Sequence, residues 1–334
     1  MHWIASAGQP IWKHSRPSRR SSPMLSPFLV VLPIFALIFA GWLARRTGVL
    51  GPNATTELNR FVVWLALPAL LFDIMAHTSW ADLWQPGFIA VFGLSSAAVF
   101  ILTIAIRLRG ARHLADAAID GLNAGYANTG FLGFPLALAV LGTDSLVPTT
   151  IASIITVCVV FAVAIVLIEV GLQTEARRAH LAAKILKSLA RNPLLVAPAL
   201  GALVPLFGLD VPVPAESFLK LLGGASSPCA LVALGLFLAE PRGAGERDGT
   251  ATTLLVVFKL LLQPAVAWGL AVLFHLPPAL AHTAVLLAAL PTGTGPFMLA
   301  EFYRREAAVT AKVILVSTVV SLATVSGYLA VAAG

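Results

Sequence analysis

The feature that most limits what this chain can fold into is a succession of apolar runs, near 28–45, 57–76, 86–107, 115–141, 146–172, 192–208, 215–238, 251–274, 279–303 and 307–333. An α-helix needs about 17–25 apolar residues to cross the roughly 30 Å hydrocarbon core of a bilayer, and most of these runs have that length. Charged residues make up 11% of the chain, where a soluble domain carries about 25%. Inside hydrocarbon every backbone donor and acceptor must be met within the protein, and a helix meets them within one segment. The sequence therefore predicts an all-α polytopic membrane protein of about ten transmembrane helices.

The connections between the runs alternate in charge. Arg45, Arg46 and Arg60, then Arg107, Arg109 and Arg112, then Arg177, Arg178, Lys184, Lys187 and Arg191, then Arg242 and Arg247, then Arg304 and Arg305 all fall on one side. The four opposite loops, 77–85, 142–145, 209–214 and 275–278, hold no Lys or Arg. Basic loops stay in the cytoplasm, so both termini are expected outside an inner (plasma) membrane. This distribution also explains the net charge of +7 by topology and gives no reason to invoke nucleic acid. Lys13, Arg16, Arg19 and Arg20 stand on the wrong side of this scheme. Residues 1–23 fit a signal n-region, though no A-x-A-like site follows. They also fit an unstructured tail, or an extension upstream of a start at Met24. The last is preferred, because the first apolar run begins almost at Met24.

The longest basic connection, "QTEARRAHLAAKILKSLAR" at 173–191, reads as an amphipathic surface helix. It separates two halves of five runs each, 28–172 and 192–334, behind a tail at 1–27. Five is odd, so the second half enters the membrane from the opposite side, the pattern of an inverted-topology repeat. The fourth run of each half is interrupted near its middle, once by "NAGYANTGFLGFP" and once by "PTGTGP". Proline removes a backbone donor and glycine weakens a helix by about 1 kcal/mol, so breaks are expected near 128–135 and 291–296. Broken backbone at membrane depth is tolerated only against protein or a water-filled cavity. Two such breaks can cross, satisfy one another and aim helix N-termini at a small anion.

With "LNRFVVWLALPALLF", "NAGYANTGFLGFPLALAVLG", "SSPCALVALGLFLAE" and "LPTGTGPFMLAEFY" in this order, the chain resembles the auxin efflux carrier family, which includes bacterial malonate-type carriers. The resemblance spans roughly residues 25–333. It implies the wider bile-acid-symporter and sodium/proton-antiporter-like fold, in which the fourth and ninth helices are broken and cross. A scaffold of spans 1, 2, 6 and 7 would carry a moving domain of the rest. It implies a secondary transporter of a small organic anion and, from plant members, a homodimer. The family's crossover asparagine and prolines carry over to Asn128, Pro135 and Pro291. The second break has Thr292 and Thr294 and no asparagine, which departs from the pattern and leaves the substrate open, auxin in particular.

The candidate substrate-binding residues are Tyr126, Asn128, Thr129, Pro135, Pro291, Thr292, Thr294, Ser226 and Ser227. Asn128, Thr129, Thr292 and Thr294 can bind a carboxylate or cap a broken helix. Tyr126 can line the cavity or fill it, and Ser226 and Ser227 can touch substrate or bond back to helix carbonyls. Ionisable residues within spans are functional candidates, but Asp116, Asp120, Lys259, Glu301 and Lys312 read as lying near cytoplasmic ends, and no coupling carboxylate is identified. Cys158 and Cys229 sit in spans as small apolar residues, without metal-ligand spacing. No cofactor, metal site or catalytic set is expected: H-E-x-x-H, paired aspartates and a Walker A sequence are absent. The alternatives to an organic-anion carrier are a sodium- or proton-coupled carrier of another solute, a passive channel and, weakest, an intramembrane enzyme.

Overall fold

The computed structural model describes residues 25–77, 80–173, 187, 190–240, 249–305 and 307–332. The described residues are nearly all helical and contain no β-strand, only one isolated antiparallel bridge. Six helices are long and apolar enough to cross a bilayer: Ala54–Ala76, Pro86–Arg109, Thr143–Gly171, Val213–Ala239, Gly249–Leu273 and Ala307–Val331. Leu25–Arg46 is a further helix of 22 residues. Pro193–Leu206 has 14 residues, which at 1.5 Å each reach only about 21 Å. The remaining two apolar runs are interrupted. The chain is thus a multi-pass membrane protein, and its helices fall where the apolar runs do. The linker at 173–191 lies mostly outside the described residues, as does the segment before Leu25.

Proline placement explains several helix starts. Pro86, Pro193, Pro278 and Pro296 stand in the first turn of their helices, where a missing N–H costs nothing. Asn192 caps Pro193–Leu206 by accepting from the Leu194 amide at 3.0 Å.

Two helix pairs approach closely through glycine. Leu25–Arg46 packs along Ser226–Ala239, where a Cβ on Gly235 would strike the Ile38 carbonyl and one on Gly41 the Val232 carbonyl. Pro193–Leu206 packs along Leu67–Ala76, where a Cβ on Gly201 would lie 2.5 Å from the Phe72 carbonyl oxygen. In hydrocarbon, association rests on close packing of this kind, because lipid tails are as apolar as the helix surface.

Candidate functional site

The first interrupted segment begins as the helix Leu114–Gly125 and stops at Tyr126, whose backbone is extended (φ −95°, ψ 95°). Helix resumes as a wide π-type turn, Thr129–Gly133, and continues as Phe134–Leu141 with Pro135 in its first turn. The second begins as Pro278–Ala288, loses helical form at 289–294 and resumes as Gly295–Phe302. Both breaks start two or more residues earlier than the sequence suggests. Pro296 opens the second half of its segment, Pro135 lies six residues after helix resumes at Thr129, and neither ends the first half.

The extended residues pair with each other. The Asn128 amide donates to the Pro291 carbonyl at 2.9 Å, and the Gly293 amide donates to the Tyr126 carbonyl at 3.1 Å. These bonds flank the antiparallel bridge between Ala127 and Thr292. The pairing disposes of backbone groups that would otherwise lie unpaired in hydrocarbon at several kcal/mol each. It needs glycine: a Cβ on Gly293 would lie 2.8 Å from the Tyr126 ring, and one on Gly295 would lie 2.7 Å from it. Tyr126 is thereby wedged between the second break and Phe161, whose ring centroid is 5.7 Å from its own.

The two faces of this pair differ. On one, Thr292 turns inward: its hydroxyl donates to the Asn123 carbonyl at 2.7 Å and its amide donates to the Ser317 hydroxyl at 3.2 Å. The Asn123 amide donates to the Thr310 hydroxyl at 2.9 Å, which ties the crossover to the helix Ala307–Ala332. On the other face lies a small pocket with a cavity volume of about 50 Å³. Tyr126, Asn128 and Thr294 line it from the breaks, and Ser226, Ser227 and Leu70 line it from the glycine-packed helices.

Of the residues singled out in the sequence, Tyr126, Asn128, Thr294, Ser226 and Ser227 come together at this pocket. Thr129, Pro291, Thr292 and Pro135 are not among its lining residues. Thr129 is fully buried. Pro291 contributes its carbonyl to the strand-like pair, and Pro135 stands in the first turn of Phe134–Leu141. Leu70, Val62 and Leu67 also line the pocket, and only the run "LNRFVVWLALPALLF", which contains them, marked that stretch in the sequence. Among the described residues no group of three or more His, Cys, Asp or Glu could hold a metal ion.

The ionisable residues divide into two sets. Arg305 makes a two-pronged pair with Asp116, at 2.6 Å from Nε and 2.6 Å from Nη2. Arg107 pairs with Asp120 at 2.6 Å, and Tyr303 donates to Glu169 at 2.8 Å. Apart from Asp120, which is the seventh of the 12 residues in Leu114–Gly125 and fully buried, these lie toward helix ends. Lys259 does not. It is the eleventh residue of the 25 in Gly249–Leu273 and is fully buried. Its burial comes from packing against other segments, with its amine bonded to the Ala288 carbonyl and to Gln263.

The sequence of the chain is similar to those of transporters. The family described as membrane transport protein matches residues 28–329. A protein of Rhizobium meliloti (strain 1021), named as a presumptive malonate transporter, is 32% identical over 303 residues, covering 90% of this chain and 94% of that protein. A Methanothermobacter thermautotrophicus protein, named only as an uncharacterized transporter, is 26% identical over 295 residues, covering 87% and 94% respectively. A rice protein (Oryza sativa subsp. japonica) named for auxin efflux is 31% identical over 122 residues, covering 35% of this chain and 22% of its own.

Proposed function

The chain belongs to the membrane transport protein family, and from that premise we propose that it is a secondary carrier that moves a small carboxylate across the inner membrane by alternating access. The observation that carries this reading is the position of the pocket. It lies where two interrupted helices meet, and its other wall belongs to different helices. A solute held there touches both bodies, so relative movement of the two can expose it to either side.

Several features support the finer reading. Leu25–Arg46 pairs with Ser226–Ala239 while Pro193–Leu206 pairs with Leu67–Ala76, a reciprocal exchange between the two halves that suits a five-plus-five inverted repeat. The interruptions stand in the same order within each half. In this reading the glycine-packed helices are the scaffold, and a homodimer follows from the resemblance to plant members of the family. The polar groups at the pocket are neutral hydroxyls, an amide and backbone, which can donate to a carboxylate without committing to one compound. The relative named for malonate makes a short dicarboxylate the first substrate to test.

The test is counterflow in proteoliposomes preloaded with malonate, followed by a panel of mono- and dicarboxylates. Saturable uptake accelerated by internal substrate is expected. Uptake linear in concentration and indifferent to internal substrate indicates a pore and overturns the carrier. Repeating the assay with sodium and proton gradients imposed separately identifies a coupled mode.

A further inference from the structure

The basic connection between the two halves ends at a second cavity, of about 350 Å³, that shares no lining residue with the crossover pocket. Lys187 and Arg191 line it, four residues apart in the sequence. Among the described residues neither lies within ion-pair distance of a carboxylate. The one carboxylate in the lining, Glu169, already accepts the Tyr303 hydroxyl at 2.8 Å. Asn192 and Pro193 complete this side, and they open the helix Pro193–Leu206, whose amino end adds partial positive charge. Two cations and a helix start thus outweigh one committed carboxylate. The remaining wall is apolar and aromatic: Trp64 and Phe302, with ring centroids 6.2 Å apart. Trp64 is the eleventh of the 23 residues in Ala54–Ala76, about 15 Å along that helix from its start. It is 51% exposed and the adjoining Leu65 52%, which in a membrane span is exposure to lipid. The cavity is therefore amphipathic, basic at the helix ends and aromatic at the depth of the acyl chains.

We propose that this cavity binds an anionic phospholipid, with its phosphate on Lys187 and Arg191 and an acyl chain along Trp64 and Phe302. A free anion would use the two cations and gain nothing from an aromatic wall open to the bilayer. A neutral lipid would use the wall and leave the cations unanswered. On the orientation that the basic loops predict, this end of the molecule meets the cytoplasmic leaflet, where anionic lipids collect. The lipid would also bridge separate elements. Trp64 and Pro193 belong to the helices Ala54–Ala76 and Pro193–Leu206, and Phe302 ends the second interrupted segment. The proposal does not depend on which solute is carried.

The probe is phosphatidylglycerol brominated on its acyl chains, mixed in graded amounts into phosphatidylcholine vesicles that hold the full chain. Bromine quenches nearby tryptophan, and the share of quenching lost in Trp64→Phe reports this cavity. Brominated phosphatidylcholine gives the neutral reference. A basic residue near the membrane surface raises affinity for anionic lipid about fivefold. The expected result is a preference for phosphatidylglycerol of at least tenfold at Trp64. Lys187→Ala combined with Arg191→Ala is expected to bring it close to one, whereas Arg191→Lys keeps the charge and most of the preference. Arg45→Ala combined with Arg46→Ala removes the same charge from another helix end and is expected to leave the preference intact. Absence of a preference in the wild type, or equal loss in the two double variants, overturns the proposal. Displacement of the brominated lipid by inorganic phosphate or malonate as readily as by unlabelled phosphatidylglycerol assigns the cavity to a free anion and overturns it as well.

Discussion

At the scale of single residues, Asn128 is the side chain through which the first break meets the pocket. It is nine-tenths buried, its amide is committed to Pro291, and its carbonyl accepts from Leu132 and Gly133 at 3.1 Å each. The backbone thus already holds the break in place, and the residue lines the pocket. A hydrogen bond to a charged group contributes about 1.5–3 kcal/mol, so Asn128→Ala is expected to weaken carboxylate affinity by roughly ten- to a hundredfold. The melting temperature should change little. Asn128→Asp should do worse, by setting a negative charge against the substrate. Unchanged affinity in Asn128→Ala would make the residue a cap. Thr292, chemically similar in the sequence, is committed to Asn123 and Ser317 on the far face. Thr292→Val is therefore expected to lower the melting temperature, and substrate affinity only in proportion.

At the scale of elements, the interrupted segments are fastened to each other at one end by Arg305 and Asp116. Arg305 follows Gly295–Phe302, and Asp116 stands in the first turn of Leu114–Gly125. The fork is two-pronged and both side chains are largely covered, with 28% and 13% exposure. Lysine keeps the charge but cannot form the fork. Arg305→Lys is expected to destabilise by about 1–2 kcal/mol, read as a lower melting temperature, whereas an unchanged value would mean that the fork is incidental. The glycine-packed pairs make a sharper contrast. Gly235→Ala drives a Cβ into the Ile38 carbonyl, and backbone cannot step aside as a side chain can. A cost of about 3 kcal/mol or more is expected, against neutrality or a gain of up to about 1 kcal/mol for Gly269→Ala, which has open space around it. Equal melting temperatures for the two variants would count against close packing of Leu25–Arg46 on Ser226–Ala239.

At the scale of the whole molecule, the one-sided distribution of Lys and Arg predicts an orientation with both termini outside. An alkaline phosphatase fused after Gly334 is expected to be active, because it folds only outside, and a cytoplasmic reporter there silent. The reverse outcome would invert the topology. That expectation needs nothing but sequence, and so do the helical class, the membrane setting and the family. Each rests on a property that sums along the chain: apolar length, charge in connections, and the order of short runs such as "NAGYANTGFLGFP". The presence of two breaks was legible for the same reason, since glycine and proline act on their own turn of helix. What the sequence could not supply was which residues face which way across the crossover. Asn128 and Thr292 carry equivalent local signals, yet an antiparallel pair of two residues turns one toward the pocket and the other toward Asn123. Lys259 was misplaced for a like reason: depth within a helix bundle is decided by neighbours far away in sequence, here Ala288 and, through Gln263, Gly125 and Ser96. Local pattern fixes the helices and their interruptions, whereas the site is made of contacts between segments distant in the sequence, which come into being only when the helices pack.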